Sequence, residues 1–177
     1  MVSHKCAGDL VADFARAKAD SVARDMPEAL VLASDTLIEH DASVLGKPRD
    51  LTDARSMLRE LVGRVHCVKT AVTAACRARR FERTEVSTAR VWMRPFDQDA
   101  HERYLATADS LGKAGAYSIQ GPGAELIERI EGDFTTIVGF PLRVVVRLLG
   151  QGGITIPVDV ESVYTRKPYG NWSRFSG

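Results

Sequence analysis

The sequence predicts an α/β fold, and two patterns carry that prediction. Segments with apolar residues at helical spacing alternate with short runs rich in apolar and β-branched residues. Two passages, Ala33 to Pro48 and Arg64 to Arg94, read as hairpins, which argues against an all-parallel sheet. A chain of 177 residues supplies one domain with a sizeable core, and no internal repeat divides it.

In chain order, Asp9 to Met26 reads as the first helix. Asp9 can cap it, Leu10, Phe14 and either Ala17 or Lys18 recur at helical spacing, and Pro27 follows its end. Lys18 lies beside that stripe, either snorkelling into water or pointing a cation into a phosphate site. Leu30 to Ala33 is apolar enough for a buried strand and runs into Ser34-Asp35-Thr36. Thr36 to Glu39 is a second extended run, His40 to Ser43 a turn, and Val44 to Pro48 the return. Thr52 can cap a second helix, with Ala54, Met57, Leu58 and Leu61 on one face and Gly63 at its stop.

Arg64 to Arg79 is long and β-rich, Arg77 to Arg83 a charged and solvated tip, and Thr84 to Arg94 a returning strand. Asp97 caps a third helix running to about Ala108. The glycines between Gly112 and Gly123 permit close backbone approach to a ligand. Ala124 to Glu131 and Phe134 to Val138 look like two strands joined at Gly132-Asp133, and Pro141 opens an apolar helix through Leu149. The chain thus divides into a body over residues 1–150 and a tail over 151–177 with no clear period. The tail's Tyr164, Tyr169, Trp172 and Phe175 need a surface, either the chain's own body or a second subunit.

The candidate site lies in Ala33 to Pro48. A carboxylate at the end of a buried strand is costly unless something is paired or bound there. Ligands of open α/β sheets gather at that edge. A hairpin about Asp41 and Ala42 would bring Asp35 opposite Lys47 or close to it, an anion and a cation over one cleft. The same two residues could form no more than a surface salt bridge, which is worth little. The glycine spacing matches neither the dinucleotide fingerprint nor the phosphate loop of nucleotide hydrolases.

Composition excludes several classes. A net charge of +1 exerts no pull toward nucleic acid or an anionic membrane. No apolar run approaches the ~20 residues that span a bilayer, and Met1 to Lys5 leads into no signal-like apolar core. Cys6, Cys67 and Cys76, odd in number and scattered, argue for a reducing, cytoplasmic compartment rather than a disulfide framework. The four histidines lack zinc-ligand spacing.

A set of short segments in fixed order resembles the Maf family of nucleotide pyrophosphatases. The pieces are Ala17-Lys18-Ala19, Ser34-Asp35-Thr36, Leu45-Gly46-Lys47-Pro48, Asp53-Ala54 with Met57-Leu58, and Leu61-Val62-Gly63-Arg64-Val65-His66. Thr84-Glu85-Val86, Lys113 to Gly121, Ile130 to Asp133, and Val138 to Leu142 follow. Each piece is weak alone; together they span Asp9 to about Leu149, leaving the tail outside.

The resemblance implies an elongated mixed β-sheet flanked by helices, similar to the inosine triphosphate pyrophosphatases, with a nucleotide cleft between two lobes. It implies hydrolysis of a nucleoside triphosphate to the monophosphate and pyrophosphate with a divalent cation, Mg²⁺ or Mn²⁺. In that reading Asp35 is the catalytic carboxylate, as base or metal ligand. Lys47 and Lys18 neutralise phosphate charge, and Lys113 is a weaker candidate for the same role. Thr36 and Gln120 look like the branch acting on dTTP and UTP, and the Gln120 amide offers a donor and an acceptor to a pyrimidine edge.

Two departures accompany the resemblance. Members begin with a strand and a phosphate-binding loop of the type Ser-x-Ser-Pro-Arg-Arg, and nothing like it precedes Asp9, so the expectation is an N-terminally truncated member. Gly112 stands where relatives often have Asp. The first departure motivates an alternative, a non-catalytic nucleotide-binding or regulatory protein. A third reading keeps the enzyme but changes the base. A homodimer is a further expectation, because a missing strand would bare a sheet edge or an apolar face.

Overall fold

The computed structural model describes residues 6–41 and 43–175. Helix α1 (Ala7–Asp25) leads into a hairpin of β1 (Val31–His40) and β2 (Ser43–Leu45), then α2 (Leu51–Leu61). A longer hairpin follows, β3 (Val65–Cys76) and β4 (Phe81–Met93), and then α3 (Gln98–Ala106). Strand β5 (Ile127–Glu131), helices α4 (Phe134–Val138) and α5 (Leu142–Gln151), and a tail helix α6 (Val160–Arg166) complete the described chain.

The α/β class holds. The five strands form one sheet in the order β2-β1-β3-β4-β5, and all four described pairings are antiparallel, where a mixed sheet was expected. Tight reversals join β1 to β2 and β3 to β4, so these neighbours must run in opposite directions. The expected turn at Asp41 and Ala42 is half described: Asp41 is a turn residue with a φ of 45°, and Ala42 lies outside the described residues.

Strand β3 is the spine. Its Ala71 faces α1 beside Leu37, against Val11, Ala12 and Ala15. Its Val72 and Ala74 face the other way, against Val144, Val145 and Leu148 of α5. With helices on both faces the strand is buried over most of its length, and its alanines let both helices come close. A third cluster at the other end joins Leu58 and Leu61 of α2, Tyr104 and Leu105 of α3, Ile38, Val68, Val91 and Phe134.

The buried face of α1 is one position away from the expected stripe. Val11, Ala15, Ala19 and Ala23 point inward at a spacing of four, while Phe14 and Lys18 lie on the flank and are exposed. Small residues win the inner face because the helix seats closely on β1 and β3. The caps also move. Cys6 rather than Asp9 caps α1, and Asp50 rather than Thr52 caps α2, accepting from the Asp53 amide at 2.8 Å.

Two expected strands are corrected. Ala124 to Glu131 divides into a 3-10 turn, Pro122–Leu126, and the strand β5. Phe134 to Val138 is helical, not extended. Asp133 accepts from the Thr135 amide at 2.8 Å, and Gly139 closes the turn at a φ of 99°. The caps at both ends override the β preference of a short run rich in β-branched residues.

The tail folds back on the chain's own body. Trp172 is 4% exposed, stacked between Phe134 and Tyr169 with ring centroids 5.2 and 5.7 Å away. The edge of Tyr164 meets the same indole at 5.1 Å.

Candidate active site

Strand β2 covers β1 only from Ile38 to His40. The other half of β1 is paired to β3 on one side, and among the described residues its other edge is open. Ser34, Asp35 and Thr36 sit on that open half, in mid-strand rather than at a strand end. A cavity of about 310 Å³ opens beside them.

Its lining brings together Lys18, Asp35, Thr36, Lys47 and Gln120, the five residues singled out from the sequence, with Lys113 as well. Three lysines and one carboxylate give the cavity a surplus of positive charge. The bonds differ from those expected. Asp35 is not bridged to Lys47, because the β1–β2 ladder ends at Ile38 and Leu45 and the chain leaves the sheet before Lys47. Instead, Lys18 Nζ donates to Asp35 Oδ1, and also to the Ser34 carbonyl at 3.2 Å. Asp35 is 17% exposed and Lys18 53% exposed. A half-exposed lysine on a flexible stem can leave a carboxylate for a phosphate at small cost.

Thr36 faces inward. Thr70 Oγ1 donates to the Thr136 carbonyl at 2.8 Å, so its single proton is spent there. Thr36 Oγ1, 2.8 Å from Thr70 Oγ1, must therefore be the donor of that pair. The chain of bonds ties the floor of the cavity, β1 and β3, to the α4 wall that carries Val138 and Gly139. A Cβ on Gly139 would lie 3.1 Å from Thr36 Oγ1, so the wall sits close on the floor.

The opposite wall is the glycine-rich segment. The Gly115 amide donates to the Gly46 carbonyl at 2.9 Å, which holds the Lys47 loop against Lys113 and Ala114. Gly115 has a φ of 66°, and a Cβ there would meet Ile38 Cδ1 at 2.3 Å. Ala116, a residue with a Cβ, also has a positive φ of 63° and is fully buried. Strained backbone of this kind persists where the surroundings over-determine it.

Tyr117 lines the cavity and its hydroxyl lies 2.8 Å from His66 Nε2. Burial pushes the Tyr117 phenol well above its ordinary range, so it stays protonated. Burial, and secondarily the neighbouring His40, pull the His66 imidazole down to about 4, so it is neutral near pH 7. Reading the sequence assigned Tyr117 and Ser118 no role, and it placed Val138 at the end of a strand. The signal for α4 was present: an Asp followed two residues later by Thr, then a glycine at the close of the run.

Comparison with known proteins identifies the family. Residues 3–152 match the family model described as Maf, Maf-like protein. A dTTP/UTP pyrophosphatase of Cupriavidus metallidurans is 44% identical over 131 residues, 74% of this chain and 64% of that protein. One from Methylobacillus flagellatus is 43% identical over 155 residues, 85% of this chain and 76% of that protein. One from Dictyoglomus thermophilum is 40% identical over 139 residues, covering 78% and 72%. The chain thus spans roughly two thirds to three quarters of the length of these relatives. With a match over most of its length and identities of 40% and above, the chain belongs to the Maf family.

Proposed function

We propose that this chain hydrolyses nucleoside triphosphates, dTTP and UTP foremost, to the monophosphate and pyrophosphate. The observation that carries the reading is the convergence of Asp35 with Lys18, Lys47 and Lys113 on one cavity. A triphosphate brings about four negative charges, and a pocket with three ammonium groups and one carboxylate offsets about half of them. The relatives named dTTP/UTP pyrophosphatase support the choice of substrate.

In this reading Lys18 and Lys47 hold phosphate oxygens and stabilise the charge that develops on the leaving pyrophosphate. Asp35 takes the proton of the water that adds to phosphorus as the α–β bridging P–O bond breaks. Lys18 transfers from Asp35 to the phosphates, which frees the carboxylate. Gln120, exposed at the rim, meets the edge of the base, and Thr36 acts from beneath by fixing floor to wall.

The donor set also fits a divalent cation. Among the described residues no cluster of three or more His, Cys, Asp or Glu could hold a metal by itself. Mg²⁺ is typically held by one or two carboxylates with substrate oxygens and water, and Asp35 is such a carboxylate. A bound Mg²⁺ or Mn²⁺ would supply charge neutralisation and a lower pKa for the attacking water.

The proposal includes a cytoplasmic enzyme, supported by three free cysteines. No described helix is long and apolar enough to cross a membrane. It also includes a homodimer, supported by the apolar surface of Phe14, Val22 and Met26 exposed along α1; light scattering after size exclusion tests it. The experiment for the activity is pyrophosphate release from dTTP, UTP and dGTP with Mg²⁺ or Mn²⁺. Release from the two pyrimidine nucleotides is expected. Nucleotide binding without turnover would favour a regulatory binder instead.

A further inference from the structure

The tail lies beyond the family match, which ends at residue 152, yet it holds both walls of the cavity. On the first wall, Asn171 Nδ2 donates to the Ile119 carbonyl at 3.0 Å and to the Gly121 carbonyl at 3.1 Å. One carboxamide spends its two protons on the carbonyls either side of Gln120. The preceding residue, Gly170, leaves no slack: a Cβ there would lie 3.3 Å from the Gln120 carbonyl oxygen. Asn171 has a φ of 65°, a left-handed conformation that Asn tolerates better than most residues.

On the second wall, Tyr164 donates to Asp133 Oδ2 at 2.6 Å, and its hydroxyl oxygen lies 2.9 Å from Thr135 Oγ1. Asp133 caps α4, whose far end presents Val138 and Gly139 to the cavity. Trp172 stacks on Phe134 of the same helix. The two anchor points are separated by only a few residues of tail, so one short segment fixes the spacing of the two walls.

We propose that Asn171 is a positioning residue that sets Gln120 for discrimination of the base; this rests on the nucleotide reading above. With both flanking carbonyls held, the backbone of Gln120 is ordered before a substrate arrives. Its exposed amide then meets a pyrimidine edge without a further ordering cost. Chemistry at Asp35 is on another element, so loosening the Gln120 loop weakens binding and selectivity while leaving the chemical step nearly intact.

The test is steady-state kinetics of Asn171→Gly with dTTP and dGTP. Glycine adopts the left-handed φ freely, so the substitution removes the amide without straining the backbone. The expected result is a KM for dTTP raised about five- to tenfold, a kcat within about twofold of wild type, and a preference for dTTP over dGTP reduced by a similar factor. Glu161→Gln, which removes the tail's ion pair with Arg143 and leaves both bonds of Asn171 in place, is expected to keep the wild-type KM. Should Asn171→Gly fail to fold, Asn171→Ser makes the same comparison with one donor retained.

An unchanged KM and preference in Asn171→Gly would overturn the role of Asn171. So would an equal rise in Glu161→Gln, which would mean general loosening of the tail. Both are distinct from failure of the nucleotide reading, which would show as no pyrophosphate release by the wild-type chain.

Discussion

Lys18 on α1 donates to Asp35 on β1 at the mouth of the cavity, joining a helix flank to an open strand edge. The pair exists because the small-residue stripe of α1 faces the sheet, which turns Lys18 sideways rather than inward. It is also the point at which a phosphate would compete for the ammonium.

Replacing Lys18 by Met separates binding from stability. The ammonium is half exposed, so the ion pair contributes no more than about 1 kcal/mol to folding. The KM for dTTP is expected to rise about tenfold or more, as one phosphate contact is lost. Kinetics beside a urea titration of Lys18→Met give both numbers. A large loss of stability with an unchanged KM would make the pair structural.

Thr70→Val cuts the chain that runs from Thr36 to the Thr136 carbonyl. Thr70 is fully buried, and valine leaves the Thr36 hydroxyl without its acceptor and takes one donor from the Thr136 carbonyl, which keeps the Gly139 amide at 3.1 Å. The expected loss is about 1–3 kcal/mol, read from the urea midpoint. Wild-type stability would mean that floor and wall are not coupled through this hydroxyl.

Acid should weaken the fold through His66. Burial lowers its pKa to about 4 in the folded chain, against an ordinary value of 6.5 when unfolded. Between these values the unfolded chain binds a proton that the folded chain refuses. Stability from this group is therefore complete above about pH 6.5 and is lost as the pH falls toward 4, by on the order of 3 kcal/mol. Urea unfolding of wild type and His66→Gln at pH 7, 5.5 and 4.5 checks this. The variant should show a shallower decline, and parallel declines would show that His66 does not titrate as argued.

The alternation of helix and strand was legible because the periods of α2, β3 and β4 are strong and their ends carry turn residues. The helix α4 was not, since a five-residue run of Phe, Thr, Ile and Val looks extended until its two caps are weighed. The flank position of Lys18 was also hidden. Leu10 and Phe14 suggest one inner face, and only close helix–sheet packing selects the alanines instead. In the site, the order of short segments around Asp35 and Gln120 pointed to a shared cavity, while spacing within any one of them did not. The bonds of Asn171 to Ile119 and Gly121 join positions some fifty residues apart in an aperiodic tail, which no local pattern can announce.

The measurement that tests the central claim most directly is pyrophosphate release from dTTP by Asp35→Asn beside the wild-type chain, with Mg²⁺ present. Asparagine keeps the shape and removes the charge that would accept a proton or hold the cation. The account predicts a fall in kcat of about a hundredfold or more, with thermal unfolding little changed. Turnover by Asp35→Asn at the wild-type rate would contradict it and place the chemistry on another group.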